Sequence, residues 1–214
     1  MNEKDEIKEL GTSENKENGI HTITIIGQIE GHFASDQNQK STKYEHLIPL
    51  LVALEQSNDV KGILIVLNTM GGDVEAGLGI AEMISTMKKP TVSLVIGGSH
   101  SIGVPIAVSA RRSFITRSAT MTLHPVRVNG LVVGAPQTYN YFADMQKRIV
   151  EFVCRNSQAT PEKINELMMR PDMLATDVGT VLEAEEAVNC GLIDKVGGLS
   201  DALEELKNMI ENAT

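Results

Sequence analysis

Short apolar runs along the chain alternate with stretches whose apolar residues recur every three or four positions. The run at 21–31, rich in β-branched residues, predicts a strand that Gly27 or Gly31 ends, and the runs at 62–68 and 91–96 predict buried strands. The stretches 46–57 and 75–89 have helical spacing, and Pro49 must then lie in the first turn of its helix. This strand–helix alternation predicts an α/β fold with right-handed crossovers.

The second half of the chain predicts smaller elements and one long helix. These are a small-residue helix at 103–110, short strands at 112–116 and 119–124, and helices at 136–156, at 161–169 and at the end of the chain. Thr160 followed by Pro161 is a suitable N-cap and first helical position. Residues 1–19 have almost nothing apolar to bury and predict a flexible polar tail, and 35–45 predicts a polar loop or insertion. We therefore expect a single domain over 20–214.

Composition and charge exclude several classes of partner. The chain has 214 residues, of which 42% are hydrophobic, which is enough to bury one sizeable core. A net charge of -9 argues against binding to nucleic acid. Cys154 and Cys190 lack the spacing of metal ligands, so we predict free thiols, no metal site and no cofactor. The acidic N-terminus is unlike a signal peptide, and no run approaches the roughly 18 apolar residues of a membrane span. We expect a soluble, cytoplasmic protein.

A glycine pair follows the predicted strand at 62–68. In NTMGGDVEAG, Gly71 and Gly72 lie between a strand end and a helix start. Two interpretations stay open: a tight turn that needs permissive backbone angles, or backbone N–H groups that face an anion or oxyanion. The motif is not a P-loop, because no Gly-Lys-Ser/Thr follows it.

Ser101 is predicted to lie at the start of a helix. The strand at 91–96 is followed by a glycine turn at 97–98, and Pro105 is tolerated in a first helical turn. Free N–H groups at such a position can stabilise negative charge near the hydroxyl. The Gly-x-Ser-x-Gly signature of α/β-hydrolases is absent, because Ser99 occupies its first glycine position. Ser101 is therefore a candidate nucleophile, with an ordinary N-cap as the alternative.

His124 ends an apolar strand, and Pro125 prevents that strand from continuing. It follows Ser101 by one helix and a pair of strands, which can return it to the same sheet edge. A purely structural histidine is the alternative. His100 is a poor base for Ser101, because the side chains of sequence neighbours diverge.

Five blocks of the sequence resemble, in order and spacing, those of the ClpP family of serine peptidases: GQIEGH, LNTMGGDVEAG, GGSHSIG, MTLHPV and EEAVNCGLIDKV. The likeness covers roughly residues 21–198. NELMMRPDMLATDVGTVLEAEEAVNCGLID is most similar to the TepA-type branch, described as translocation-enhancing proteins. The resemblance implies the ClpP/crotonase-like fold, built of repeated ββα units with a protruding strand–helix handle.

The resemblance also implies roles for individual residues. The family's Ala-Ser-Met-Gly block falls on HSIG, which makes Ser101 the nucleophile. Its Met-Ile-His-Gln-Pro block falls on the shorter TLHP, which makes His124 the general base. The oxyanion hole falls on the backbone N–H groups of Gly72 and Ile102. The implied reaction is peptide hydrolysis through an acyl-enzyme on Ser101.

The family's triad acid has no direct counterpart in this chain. That acid precedes an FLSAPEA block, which here reads VLEAEEA, and a gapless register puts Gly179 at its position. Asp177, two residues earlier, is the candidate that orients His124, and Asp172 is the weaker candidate. A capping or surface role for Asp177 is the alternative.

The resemblance further implies a self-compartmentalised homo-oligomer. Subunits of the family form heptameric rings, two of which stack into a tetradecamer and enclose the serines, and AAA+ unfoldases feed them unfolded chains. Residues 128–153 fit the handle that joins the rings. Its stripe of Phe142, Met145, Ile149 and Phe152 is either core of the subunit or, as the resemblance favours, a contact with another subunit.

Two other classes of function stay open. One is a ClpP-like scaffold with weak or no catalysis, which the missing acid at Gly179 suggests. The other is a crotonase-type acyl-CoA enzyme, which uses similar paired N–H groups on a thioester. Such enzymes usually have glutamates in the pocket, so Ser101 and His124 together argue against it.

Overall fold

Nine strands and seven helices form the parts of the chain that the structure describes. The structure is a computed structural model, and it describes residues 13–15, 17–32, 39–127, 134–171 and 179–213. The strands are β1 Ser13–Asn15, β2 Ile20–Glu30, β3 Ser41–Lys43, β4 Gly62–Gly72, β5 Thr91–His100, β6 Arg112–Ile115, β7 Thr120–Leu123, β8 Thr180–Glu183 and β9 Lys195–Val196. The helices are α1 Tyr44–Gln56, α2 Val74–Ser85, α3 Gly103–Val108, α4 Ala135–Arg155, α5 Pro161–Met168, α6 Ala184–Asn189 and α7 Leu199–Ala213.

The nine strands belong to one sheet whose central part is parallel. The order is β1-β2-β4-β5-β6-β9, and α1 and α2 connect β2, β4 and β5 as crossovers. Only two pairs are antiparallel, β1 with β2 and β7 with β8. Strand β5 has two partners on one side, because Val92–Val95 pair with β6 and Gly98–His100 pair with β7. The predicted α/β class is confirmed.

Both faces of the central strands are buried, which explains their near-continuous apolar sequences. Along β4, Ile63 and Ile65 point into the larger apolar cluster, whereas Leu64 points to the opposite face. There it joins a smaller cluster that α7 covers with Leu206. A hydrophilic side chain at any of these positions would have to be buried without a partner.

Several element boundaries differ from the sequence-based expectations. Helix α1 begins at Tyr44, so Pro49 lies inside the helix and not in its first turn. Pro49 is exposed, so water can hydrogen-bond the helix carbonyl that this proline leaves unpaired. Ser41–Lys43 forms a strand within the predicted polar loop, and Ser13–Asn15 forms an edge strand within the predicted tail. Such short strands pair through their backbones and need few apolar side chains.

The expected turn at Gly97 and Gly98 is wrong, because β5 continues as a strand to His100. At both positions the missing side chain makes room for a neighbour. A Cβ carbon on Gly97 would lie 2.5 Å from Asn68 Oδ1, and one on Gly98 would overlap the His100 ring. The glycines therefore serve close approach within the sheet, which a sequence pattern does not separate from a turn.

Helix α4 supplies the helical part of the predicted handle. Its N-terminal turns expose Tyr139 and Tyr141, whereas Met145, Ile149 and Phe152 are buried within the chain. For these three residues the interpretation as intersubunit contacts is therefore wrong, because they pack on the body of the subunit. The strand expected just before α4 falls on residues outside the described ranges. None of the described helices combines the length and apolar character needed to cross a membrane.

Candidate active site

Ser101 and His124 follow the ends of two neighbouring parallel strands. His100 is the last residue of β5 and pairs with Thr122, the second-last residue of β7. The carboxyl ends of parallel strands meet at the same edge of a sheet, which is where ligands bind in open α/β folds. The split pairing of β5 thus brings both candidate residues to one edge.

The backbone around Ser101 is unusual and well anchored. Ser101 has φ of 57°, and it is the only described non-glycine residue with a positive φ. Its N–H donates to the Thr122 carbonyl at 2.8 Å, and its carbonyl accepts from Val104 N–H at 3.0 Å. The N-cap of α3 is Ile102, so Ser101 lies just before the helix, at the predicted helix start. A left-handed conformation at a residue with a Cβ is strained and is typical of functional sites.

Gly71 and Gly72 lie beside Ser101 at the end of β4. A Cβ carbon on Gly71 would be 2.7 Å from the His100 carbonyl oxygen. The Gly71 N–H donates to Thr69 Oγ1 at 3.0 Å, and the Thr69 hydroxyl donates to the Gly27 carbonyl at 2.6 Å. The glycine pair is therefore held by β2 through Thr69. The positive φ of 91° at Gly71 fits the first interpretation, in which the turn needs permissive backbone angles, and the missing side chain also allows close approach to Ser101. The second interpretation, N–H groups that face an oxyanion, stays a prediction.

One cavity of about 140 Å³ brings together four of the five residues of the expected site. Gly72, Ser101, Ile102 and His124 all line it. The rest of its lining is mostly apolar, formed by Val74, Val104, Leu123, Pro125, Val126, Ile149, Val153 and Met168, with Arg127 as the charged exception. N–H groups that open a helix have no acceptor within that helix, so the Ile102 region can offer donors to an anionic oxygen.

The His124 ring has a defined tautomer when neutral. Its Nδ1 is 2.7 Å from the Pro125 carbonyl oxygen. A carbonyl oxygen only accepts hydrogen bonds, so Nδ1 carries the proton in this contact. In that tautomer Nε2 is the ring nitrogen that carries the lone pair, which is the group a general base uses.

His100 points away from the cavity, in agreement with its expected unsuitability as base. Its Nδ1 is 2.8 Å from Thr122 Oγ1, and its ring covers Gly98. Burial lowers the pKa of His100. Ser99, the residue before His100, has a buried side chain that donates a hydrogen bond to the Gly103 carbonyl at 2.7 Å.

The candidate acids Asp177 and Asp172 lie outside the described residues. The structure does describe Gly179, which has φ of 140° and donates its N–H to the Arg170 carbonyl at 2.8 Å. Because Thr180 pairs with Leu123 in an antiparallel ladder, Gly179 flanks the position of His124. The residue next to His124 in this pairing thus supplies no carboxylate.

Two contributors to the site were missed by the sequence reasoning. The Thr122 carbonyl accepts a hydrogen bond from the Ser101 N–H, and the Thr122 hydroxyl shares a side-chain hydrogen bond with His100. Gln146 of α4 accepts a hydrogen bond from the Val126 N–H at 3.2 Å and so ties that helix to the segment after His124. Thr122 lies two residues before His124 on a strand, a spacing that puts both on one face and could have pointed to it.

Metal-binding clusters of three or more His, Cys, Asp or Glu are absent from the described residues. Cys154 and Cys190 are both free, and burial raises the pKa of each thiol. Neither lines the cavity around Ser101.

Comparison with known proteins identifies relatives of this chain. The sequence profile of the Clp protease family matches residues 16–199. The translocation-enhancing protein TepA of Halalkalibacterium halodurans is 54% identical over 210 residues, which are 97% of this chain and 82% of that protein. The ATP-dependent Clp protease proteolytic subunit 1 of Chlamydia abortus is 27% identical over 192 residues, which are 87% of this chain and 95% of that protein.

Among solved structures, a point mutant of ClpP1 from Listeria monocytogenes has the same fold. It superposes with a TM-score of 0.67 at 23% identity, covering 87% of this chain and 95% of that chain. The profile match spans most of the chain, and the similarity to TepA extends over nearly all of it. The resemblance seen in the sequence is confirmed, and the chain belongs to the Clp protease family.

Proposed function

We propose that this chain is a serine peptidase subunit that hydrolyses peptide bonds in unfolded polypeptides. The observation that carries the proposal is that Ser101, His124, Gly72 and Ile102 all line the same cavity. Nucleophile, base and oxyanion donors are the minimum set for acyl transfer, and the residues proposed for these roles line one cavity. Family membership makes peptide bonds the expected substrate.

The reaction follows from the roles that the geometry allows. The Ser101 hydroxyl oxygen attacks the peptide carbonyl carbon, and its proton moves to Nε2 of His124, the ring nitrogen that does not face Pro125. The resulting oxyanion accepts hydrogen bonds from the N–H groups of Gly72 and Ile102. His124 then gives its proton to the leaving amine. Water, activated by the same ring, hydrolyses the ester on Ser101 and regenerates the enzyme.

Asp177 is the proposed orienting acid for His124, with Asp172 as the weaker candidate. Asp177 lies two residues before Gly179, which flanks the His124 position through the β7–β8 pairing. A carboxylate that accepts from Nδ1 would stabilise the imidazolium formed during the reaction. It would have to replace the Pro125 carbonyl as the acceptor of that N–H, or share the N–H with it.

The cavity favours an apolar side chain next to the scissile bond. Its wall consists mainly of aliphatic residues from α2, α3 and α4, with Met168 from α5. A basic side chain would lose hydration there, and the charged residue of the lining, Arg127, has the same sign.

Assembly into stacked heptameric rings is part of the proposal. Support comes from family membership and from the exposed N-terminal turns of α4, which carry Tyr139 and Tyr141. A relative is called the proteolytic subunit of an ATP-dependent protease, which makes an AAA+ unfoldase the proposed partner. The name of the TepA relative suggests a link to protein export.

A scaffold with little or no turnover is the second candidate. The specific observation in its favour is Gly179, which leaves the position beside His124 without a carboxylate. The two candidates share the fold and the assembly, so only turnover separates them.

Hydrolysis of a fluorogenic peptide with an apolar residue before the reporter group tests the proposal. We expect turnover by the wild type and none by Ser101→Ala or His124→Ala. Asp177→Asn should lower kcat by several orders of magnitude, on the order of 10⁴ in a protease triad, whereas Asp172→Asn should not. Wild-type turnover in Asp177→Asn would remove that residue from the mechanism. Absence of turnover in a folded, assembled wild type would favour the scaffold.

A further inference from the structure

We infer that His100 and Thr122 are positioning residues whose side-chain hydrogen bond holds Ser101 and His124 at their working separation. The Nδ1 and Oγ1 atoms are 2.8 Å apart. The inference rests on the proposed function, because it concerns the same catalytic pair. Neither side chain lines the cavity, so both act through the residues that follow them.

The two residues are paired with each other in the two strands that precede Ser101 and His124. His100 immediately precedes Ser101, and Thr122 precedes His124 by two residues. The backbone N–H of Ser101 also donates to the Thr122 carbonyl at 2.8 Å. Thr122 is therefore joined to the Ser101 segment twice, once through its backbone and once through its side chain.

The pairing between β5 and β7 is short, and β8 holds β7 from its other side. Strand β7 has four residues and pairs with β5 over only three, from Gly98 to His100. One of those three is a glycine, which adds no side-chain contact and weakens a strand. A side-chain hydrogen bond between paired positions adds to the backbone bonds that fix the register of such a short ladder.

Gly98 determines where the His100 ring can lie. A Cβ carbon at position 98 would overlap His100 Nε2. The absence of that carbon lets the ring fold back over the strand and present Nδ1 to Thr122. Burial lowers the pKa of His100, so the ring is neutral at neutral pH and needs no charged partner.

The expected consequence is kinetic, because acyl transfer depends steeply on geometry. A displacement of about 1 Å at a reacting group can cost about 100-fold in rate. Loss of one hydrogen bond between the strands should move Ser101 or His124 by less than this. We therefore expect acylation of Ser101 to slow by about tenfold when the bond is removed.

Three ways of removing the bond and two ways of keeping it form the test. Thr122→Val removes the hydroxyl without changing the size of the side chain, His100→Ala removes the ring, and Gly98→Ala displaces it. Thr122→Ser keeps the hydroxyl, and His100→Asn places an amide near the position of Nδ1. The second-order rate of Ser101 labelling by a fluorophosphonate is measured for each variant, together with its thermal unfolding midpoint.

We expect the three removing variants to label about tenfold more slowly than the wild type and the two keeping variants to stay within about twofold. The double variant His100→Ala/Thr122→Val should be no slower than the slower single variant, because both remove the same bond. Any of three results would overturn the inference. These are a wild-type labelling rate in Thr122→Val, a loss of labelling rate in Thr122→Ser equal to that in Thr122→Val, and losses that add in the double variant.

A readout that does not need catalysis separates this inference from the proposed function. In crystal structures, the distance between Ser101 Oγ and His124 Nε2 should be longer in Thr122→Val than in the wild type and in Thr122→Ser. If the wild type is not labelled, the proposed function fails, and this distance alone decides the inference. An unchanged distance in Thr122→Val overturns it.

Discussion

Gly71 packs directly against Ser101: a Cβ carbon added to Gly71 would lie 2.8 Å from the Ser101 Cβ. Real Cβ atoms do not approach each other so closely, so the conformation of Ser101 depends on the absence of a side chain at Gly71. The strained serine and the glycine beside it are one local structure, which the β4–β5 pairing of Thr69 with Ser99 holds in place.

Replacing Gly71 with alanine should displace Ser101 and destabilise the fold. Alanine would adopt φ near 91° only with strain, so we expect a loss of about 1–2 kcal/mol in the free energy of unfolding, with slower labelling of Ser101. Denaturant unfolding and labelling kinetics measure the two effects. Gly79→Ala is the matched control, because it lies in α2 with nothing within 4 Å of its added carbon. That control should gain about 0.5–1 kcal/mol. Equal stability changes in the two variants would contradict the account.

Replacing Ser101 with glycine should be more favourable for stability than replacing it with alanine. Glycine adopts φ near 57° without the steric cost that alanine incurs, and this relief exceeds the entropy that glycine gains in the unfolded chain. We expect Ser101→Gly to exceed Ser101→Ala by up to about 1 kcal/mol in free energy of unfolding. Urea unfolding of both inactive variants gives the difference. The reverse order would show that Ser101 is not strained.

The lowered pKa of His100 predicts a pH dependence of stability. Burial holds the folded-state pKa below the ordinary value of 6.5, so below that pH the unfolded state binds the proton more readily. Wild-type protein should therefore lose stability relative to His100→Asn as the pH falls below 6.5, and the difference should be constant above it. Thermal unfolding of both proteins between pH 5 and 8 measures this. A difference that does not change with pH would mean that the ring is not desolvated.

A charged contact on the outside of the fold should contribute little to stability. Arg148 of α4 donates two hydrogen bonds to Glu75 of α2, at 2.7 and 2.9 Å, and the hydrogen bond from Arg148 lowers the pKa of Glu75. Both side chains are about half exposed, so a double-mutant cycle with Arg148→Met and Glu75→Gln should give a coupling below about 1 kcal/mol.

The sign of the Glu75 shift fixes the pH dependence of that coupling. A lowered carboxyl pKa stabilises the fold above the ordinary value of 4.5, and the contribution disappears as the pH falls through the lowered folded-state value. A double-mutant cycle for the ion pair of Lys147 and Glu151, which are both exposed on one helix, is the control. A coupling of several kcal/mol, or one that persists in acid, would contradict this assignment.

The parallel core and the place of Ser101 could be predicted from the sequence because they depend on local patterns. Apolar runs with helices between them require parallel strands and crossovers, and a serine between a strand and a helix containing Pro105 falls at the helix start. The order of elements alone predicts that Ser101 and His124 lie at the same edge of the sheet. The pairing of His100 with Thr122 brings them to that edge.

The remaining features depend on contacts that are distant in the sequence. Gly97 and Gly98 look like a turn, and only the neighbouring Asn68 and His100 side chains show why glycine occurs within β5. The role of Thr122 likewise requires the register of β5 and β7, which the switch of β5 from one partner to another determines.

The most direct test of the central claim is covalent labelling with a fluorophosphonate, followed by mass spectrometry of the digested protein. The account predicts one adduct per subunit, located on Ser101, that is lost in Ser101→Ala and strongly reduced in His124→Ala. Ser99→Ala is the matched control and should still be labelled at Ser101, because Ser99 is buried and donates to Gly103. An unlabelled but folded wild type, or an adduct on any other residue, would contradict the claim that Ser101 and His124 form the catalytic pair.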